Sequence, residues 1–214
     1  MHHKIHDRNG YFQLDLLLEN SAARVALSKV HYTLGHFEIT SLDNPTFSKR
    51  LAMLYKNQNS LKPMLKGEGQ VIFKTTPYCI ECIELHNQTL FIQPSLSLAS
   101  SSTLELSEHT IHSPLKRIAG EPKHQTIISG SGLLFLLSPG PLICLELEKQ
   151  TLKTTATIVA RSTSTHFSQT PWSQNHTLQL PEVKKNVQLL RGPGQVYLPQ
   201  YIAKEVVLYR SFLK

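Results

Sequence analysis

Three times in this chain a glycine, any residue and a second glycine open a run of large apolar side chains. The copies are Gly67-Glu68-Gly69-Gln70-Val71-Ile72-Phe73, Gly130-Ser131-Gly132-Leu133-Leu134-Phe135-Leu136 and Gly192-Pro193-Gly194-Gln195-Val196-Tyr197-Leu198. They begin 63 and then 62 residues apart, so each period is far longer than a solenoid turn and holds a small module of several strands. Residues two apart on a strand share a face, yet Val71, Ile72 and Phe73 are apolar in succession, as are their counterparts. Strands of this kind are covered on both faces. The sequence therefore predicts an all-β chain, a sandwich or closed pseudo-barrel of three similar modules at about residues 11–77, 78–140 and 141–200.

The text around the glycines repeats as well. Cys82, Glu84, Leu85, Gln88, Thr89 and Leu90 recur, in the same spacing, as Cys144, Glu146, Leu147, Gln150, Thr151 and Leu152. Continued at the same offset, the overlay sets Ser100-Ser101-Ser102-Thr103 on Ser162-Thr163-Ser164-Thr165, and Leu14-Asp15-Leu16 matches Ile83-Glu84-Leu85 as a weaker first copy. Lys49-Arg50-Leu51-Ala52 and Lys116-Arg117-Ile118-Ala119 form a repeated connector ahead of their glycine pairs. The spacing of Phe47, Leu51, Leu54 and Tyr55 after Asn44-Pro45 suits one short helix near 46–56. Residues 1–10 read as a disordered, histidine-rich leader, residues 11–214 as a single β domain, and 201–214 as its C-terminal tail.

A chain of 214 residues can bury about 70 % of its unfolded surface and needs no disulfide staples. Its three cysteines and polar start point to a reducing, cytoplasmic setting, or a mitochondrial one in a eukaryote, although no presequence is visible. No apolar run approaches the roughly 20 residues of a membrane-spanning helix. The net charge of +7 and pI near 9.3 raise the question of nucleic acid or an anionic membrane surface. The charge is spread, and its densest groups are pairs; Lys49, Arg50, Lys116 and Arg117 make the candidate basic face.

The Gly-x-Gly-β run, the proline turn Ser138-Pro139-Gly140-Pro141, the strand ending in Glu-Leu and the Leu-Lys-Arg connector resemble the altered inheritance of mitochondria protein 24 family. The resemblance spans about Phe12 to Gln200 and is most specific over Gly130–Leu147 and Leu190–Leu198. It implies similar β modules in a pseudo-barrel, grouped with the tryptophan RNA-binding attenuator protein and double-stranded β-helix folds. For function it implies association with the mitochondrial inner membrane in one branch and no established activity in another.

No residue set identifies a reaction. A phosphate cradle needs glycine-rich backbone feeding a helix N-terminus, whereas Gly67, Gly69, Gly130, Gly132, Gly192 and Gly194 feed strands and read as repeat turns or close approaches. Cys79 and Cys82, three apart on a strand, point to opposite faces, so buried packing accounts for them and for Cys144 better than zinc does. No cupin-type His-x-His set, nucleophile elbow or unlike carboxylate pair is present, so no catalytic residue, metal ligand or cofactor is assigned. The sequence thus favours a non-catalytic scaffold or protein-interaction domain with a protein partner or self-association. Alternatives are an RNA- or anionic-surface-binding module and a cupin-like ligand-binding protein.

Overall fold

In the computed structural model of the protein, residues 1–40, 62–110, 124–148, 150–154, 156–171 and 186–200 are described. They contain fourteen strands, two 3₁₀ turns and no α-helix. Every pairing between strands is antiparallel, so the all-β expectation holds. The expected helix near 46–56 and the tail 201–214 lie outside the described residues.

Contrary to expectation, the histidine-rich leader is not disordered but part of the sheet. His2–Arg8 forms strand β1, paired along its whole length with β2 (Tyr11–Val25). Asn9 and Gly10, both at positive φ, make the two-residue loop, an Asn-Gly hairpin turn whose backbone matches strand twist. Asp7 accepts a bond from the Gly10 amide, and His6 meets Asp15 at 2.8 Å. Two paired strands satisfy each other's amides and carbonyls, so the leader has a place in the sheet.

After β2 come β3 (Val30–Thr40) and the first glycine strand, β4 (Met64–Phe73). The second module supplies β5 (Cys79–Ile92), β6 (Ser97–Ser101), β7 (Glu105–Thr110) and the glycine strand β8 (His124–Ser138). In the third, the same strands are broken near the glycines: β9 (Leu142–Leu147), β10 (Thr151–Thr154), β11 (Ala160–Ser162), β12 (His166–Pro171), β13 (Asn186–Arg191) and β14 (Gly194–Pro199). Each module thus has a bulged strand, an outer strand and a glycine strand. The 3₁₀ turns at Leu27–Lys29 and Pro94–Leu96 lead into the outer strands β3 and β6.

The outer strands stitch the modules together. β6 pairs with β2 of the preceding module, and β11 with β5. The main sheet runs β3-β4-β2-β6-β8-β5-β11-β14-β9, while β10-β13-β12 form a smaller sheet. The main path has two ends, so among the described residues the sheet does not close into a barrel.

The continuous apolar runs have a simple cause. Phe135 packs in the first core with Leu14, Leu16 and Phe73, whereas its neighbours Leu134 and Leu136 pack in the second with Leu85, Leu90 and Ile128. Tyr197 likewise belongs to the second core, and Val196 and Leu198 to the third with Leu147 and Leu190. A strand separating two cores must be apolar on both faces. At about 25 cal/mol per Å² of apolar surface, each such side chain contributes about 1.5–3 kcal/mol.

Candidate functional site

The glycine pairs lie where the bulged strand, the glycine strand and the outer strand meet. Leu18 pairs with Gly69 and Ser21 with Gly67, so Glu19 and Asn20 oppose the single residue Glu68. Leu85 and Gln88 flank the same bulge opposite Gly132 and Gly130. Two residues opposing one define a β-bulge, and Asn20 and Asn87 occupy its left-handed position at φ 45° and 54°. Asparagine tolerates that conformation better than most side chains. This register corrects the sequence alignment: Leu147 pairs with Gly194, so the first-copy counterpart of Ile83-Glu84-Leu85 is Leu16-Leu17-Leu18, two residues beyond Leu14-Asp15-Leu16.

On its other side each pair meets the outer strand. In the first module β3 passes straight along β4, with Gly35 opposite Gly69; a Cβ on Gly69 would lie 2.1 Å from the Leu34 carbonyl oxygen. In the second and third modules a serine-threonine turn takes that place. The amide of Leu133 donates to Ser101 Oγ at 2.9 Å and that of Gln195 to Ser162 Oγ at 2.8 Å. Thr103 Oγ1 and Ser164 Oγ then donate to the carbonyls of Ser131 and Pro193, at 2.7 and 2.6 Å. These contacts make Ser101-Ser102-Thr103-Leu104 the counterpart of Ser162-Thr163-Ser164-Thr165, one residue later than the sequence overlay placed it. The hydroxyls clamp the glycine segment internally, and a side chain there would push them out. Gly130 and Gly192 approach the carbonyl oxygens of Thr103 and Ser164 in the same turns.

Sequence reasoning missed an arginine at each of the two junctions between modules. Arg24 of β2 stands opposite Ser100 of β6, and Arg161 of β11 stands opposite Phe91 of β5. Both are buried at 7 % exposure. Arg24 Nε donates to the Leu104 carbonyl at 3.3 Å, and Arg161 Nη1 to the Thr165 carbonyl at 2.7 Å. Leu104 and Thr165 are equivalent residues, so one cation position is filled from opposite strands at the two junctions. Burial lowers the Arg24 pKa, with the nearby Glu105 carboxylate acting in the other direction. Arg161 also lies over the Phe91 ring, 4.5 Å from its centroid.

The remaining candidates disperse. Cys79 and Cys82 are free and half-buried, and Cys144 is exposed, which corrects the expectation of buried packing for all three. Burial, then Glu84 and Glu81, pushes the Cys82 thiol up to about 11. The Tyr197 hydroxyl donates to Gln195 Oε1 at 3.1 Å and is itself pushed up to about 12, chiefly by burial and then by the neighbouring Cys144. Beside Gly194 a shallow cleft of about 460 Å³ is bordered by Gln88, Glu146, Glu148 and Gln195. Gln88 Nε2 donates to Gln195 Oε1 at 3.2 Å, and Gln195 Nε2 donates to Glu146 Oε1 at 3.3 Å. Its acidic rim suits a hydrogen-bonding or cationic group rather than a phosphate.

Lys49, Arg50, Lys116 and Arg117 lie outside the described residues. Among the described cations, Lys29 and Lys74 donate to the carbonyls of Ser95 and Ser28, and Lys62 is buried with no hydrogen bond to its Nζ. No group of three or more His, Cys, Asp or Glu side chains is placed to hold a metal among the described residues.

The surface feature that stands out is β3. It is an edge strand of eleven residues that pairs, among the described residues, only with β4, and Tyr32, Leu34 and Ile39 on it are 46 %, 56 % and 61 % exposed. No helix among the described residues is long and apolar enough to cross a membrane.

Comparison with known proteins agrees with this architecture. The crystal structure of protein SPYM3_0169 from Streptococcus pyogenes has the same fold: TM-score 0.65 at 15 % identity, over 99 % of both chains. No curated protein matches the chain. The family model described as Mitochondrial biogenesis AIM24 matches residues 39–199, the greater part of the sequence and all three glycine pairs. The chain belongs to the Mitochondrial biogenesis AIM24 family.

Proposed function

We propose that this protein is a non-catalytic interaction module, a rigid β scaffold that binds another protein through an open strand edge. The observation that carries this reading is β3, whose outer edge is unpaired among the described residues while Tyr32, Leu34 and Ile39 face solvent. Exposed apolar edge strands are templates for added strands, and natural proteins usually blunt them with charge or proline. The polar groups nearest the glycines are consumed in clamping the modules, and repeated groups in repeated surroundings suit structure better than acid–base chemistry. The family description links the family to mitochondria, and the setting proposed for this chain is mitochondrial in a eukaryote and cytoplasmic otherwise.

The test is a native pull-down with the wild-type chain and the Tyr32→Lys/Leu34→Lys double variant. A specific partner retained by the first and lost by the second, with both equally folded, supports the reading. Partners held equally by both would sink it.

A second reading, binding to RNA or an anionic membrane surface, rests on the +7 charge. It predicts retention on a random RNA pool or on vesicles containing anionic lipid that weakens steeply with added salt. Loss of that binding in a variant with Lys49, Arg50, Lys116 and Arg117 replaced would favour it. The cupin-like reading is tested by metal analysis of the purified chain.

A further inference from the structure

Two junctions between modules are complete in this chain, and the two halves of a third are not paired with each other among the described residues. The glycine-strand pairings set the correspondence. Tyr32, Ala99 and Ala160 face Ile72, Phe135 and Tyr197, which are equivalent; Glu38 and Glu105 face the equivalent residues Lys66 and Ser129. Four residues separate Thr33 from Glu38, Ser100 from Glu105 and Arg161 from His166, so Thr33 takes the place of Ser100 and Arg161. On the bulged strands, Leu152, Lys153 and Thr154 correspond to Leu90, Phe91 and Ile92 and to Ala23, Arg24 and Val25.

At the complete junctions these positions are core. Ala23, Val25 and Ala99 are fully buried, Ala160 and Leu90 are 1 % exposed, and Ile92 is 3 % exposed. At the open halves Tyr32, Leu34, Thr33 and Lys153 are exposed, and among the described residues β3 pairs only with β4 and β10 only with β13. The charges are complementary too. Lys153 stands where Arg24 stands, and Glu38 where Glu105 stands, so joining the halves sets Lys153 beside Glu38 as Arg24 lies near Glu105.

We infer that β3 of one copy pairs antiparallel with β10 of a second copy, rebuilding the module junction between chains with Thr33 opposite Lys153. This deepens the interaction reading above and rests on it, with a second copy of this chain as the partner. The contact is heterologous, because β3 meets β10 rather than itself. Repeated, it gives rings if the rotation closes and filaments if it does not.

Two singly substituted chains test this, Thr33→Cys and Lys153→Cys. Directly opposed residues in an antiparallel pair have Cα atoms about 4.5–5.5 Å apart, within disulfide range. Mild oxidation of the mixture should give a covalent dimer whose linked peptides contain the two introduced thiols, absent when either variant is oxidised alone. No such dimer in the mixture overturns the proposal. So does a Thr33→Cys/Lys153→Cys double variant that links only within one chain, which would mean that the third junction closes inside the molecule.

Light scattering supplies the second readout. The wild-type mass should rise above 24.2 kDa with concentration. Lys153→Glu should weaken association about tenfold with an unchanged circular dichroism spectrum, and mixing it with Glu38→Lys should restore it. A mass fixed at one chain overturns the self-pairing. If that monomer still holds another protein through Tyr32 and Leu34, the broader interaction reading stands without it.

Discussion

Replacing Gly132 with alanine tests the clamp between the glycine pair and the serine-threonine turn. The backbone sits at φ 153°, where an L side chain costs about 1–2 kcal/mol. A Cβ there would lie 2.6 Å from Thr103 Oγ1 and 2.9 Å from Ser101 Cβ. The hydroxyl can rotate away, but it then gives up its bond to the Ser131 carbonyl. The Ser101 Cβ moves only with its backbone, which pulls Ser101 Oγ off the Leu133 amide. Two hydrogen bonds at about 1 kcal/mol each, added to the strain, give about 3–4 kcal/mol. For a protein of this size that is roughly a 10 °C fall in Tm. Gly10→Ala is the control: φ is +83° but nothing lies within 4 Å of the added carbon, so only the strain of about 1 kcal/mol remains. Urea unfolding of both variants, with thermal melts followed by circular dichroism, measures the difference. Equal losses in the two would refute the clamp, because strain alone would then explain Gly132. Gly194→Val, 2.7 Å from Ser162 Cβ at its first added carbon, should lose at least as much as Gly132→Ala.

The bulge asparagines divide by conformation, so Asn87→Gly should hold its stability within about 0.5 kcal/mol while Asn87→Ala loses about 1 kcal/mol; equal losses by chemical denaturation would contradict the left-handed assignment. Lys62 is 3 % exposed, and burial, with Lys29 second, holds its pKa well below the ordinary 10.5. The fold therefore disfavours the ammonium: the cost is full below the folded pKa and fades as pH climbs to the unfolded value. Lys62→Met should be about 1–3 kcal/mol more stable than wild type at pH 7, with the gap closing towards pH 10.5; equal stability at pH 7, or a gap unchanged by pH, would contradict this. With its pKa near 11 against an ordinary 9.0, Cys82 carries about 100-fold less thiolate at pH 8, and alkylation followed by mass spectrometry should find it slow in the native chain and fast in urea. Native labelling at the unfolded rate would show the thiol to be unprotected.

The repeat was legible because glycine is needed where backbone crowds backbone, and that need recurs at Gly67, Gly130 and Gly192, each at positive φ and facing a carbonyl oxygen of the outer strand or its turn. The two-faced apolar strands could be read for a similar reason: Phe135 and Leu136 serve different cores, and no polar residue suits either. The first register slipped where composition outweighed pairing. Leu14-Asp15-Leu16 copies the acidic centre of Ile83-Glu84-Leu85, whereas pairing puts Leu17 at the place of Glu84, and the first copy moved by two. The leader was misread because its composition outweighed the Asn9-Gly10 turn, although alternation on both sides of that dipeptide was a usable hairpin signal. The arginines at the junctions were hidden for a deeper reason. Arg24 aligns with Phe91, and Arg161 with Ser100, so no column of the repeat displays them together. That β3 pairs only with β4 among the described residues was likewise beyond the sequence, since nothing in Tyr32 or Leu34 tells which strands lie beside them.

Filling one cation position from alternate sides also labels the modules by order. The joins in chain order read Arg24 with Ser100 and Phe91 with Arg161, and the proposed pairing between copies would set Lys153 with Thr33. A permutant exchanging the first two modules would bring Arg24 against Arg161 at one join and Phe91 against Thr33 at the other. Two guanidinium groups would then compete for one carbonyl, while the other join would hold none. Units that look interchangeable by their glycines therefore carry distinct addresses, and shuffling them should yield a chain that cannot assemble its sheet.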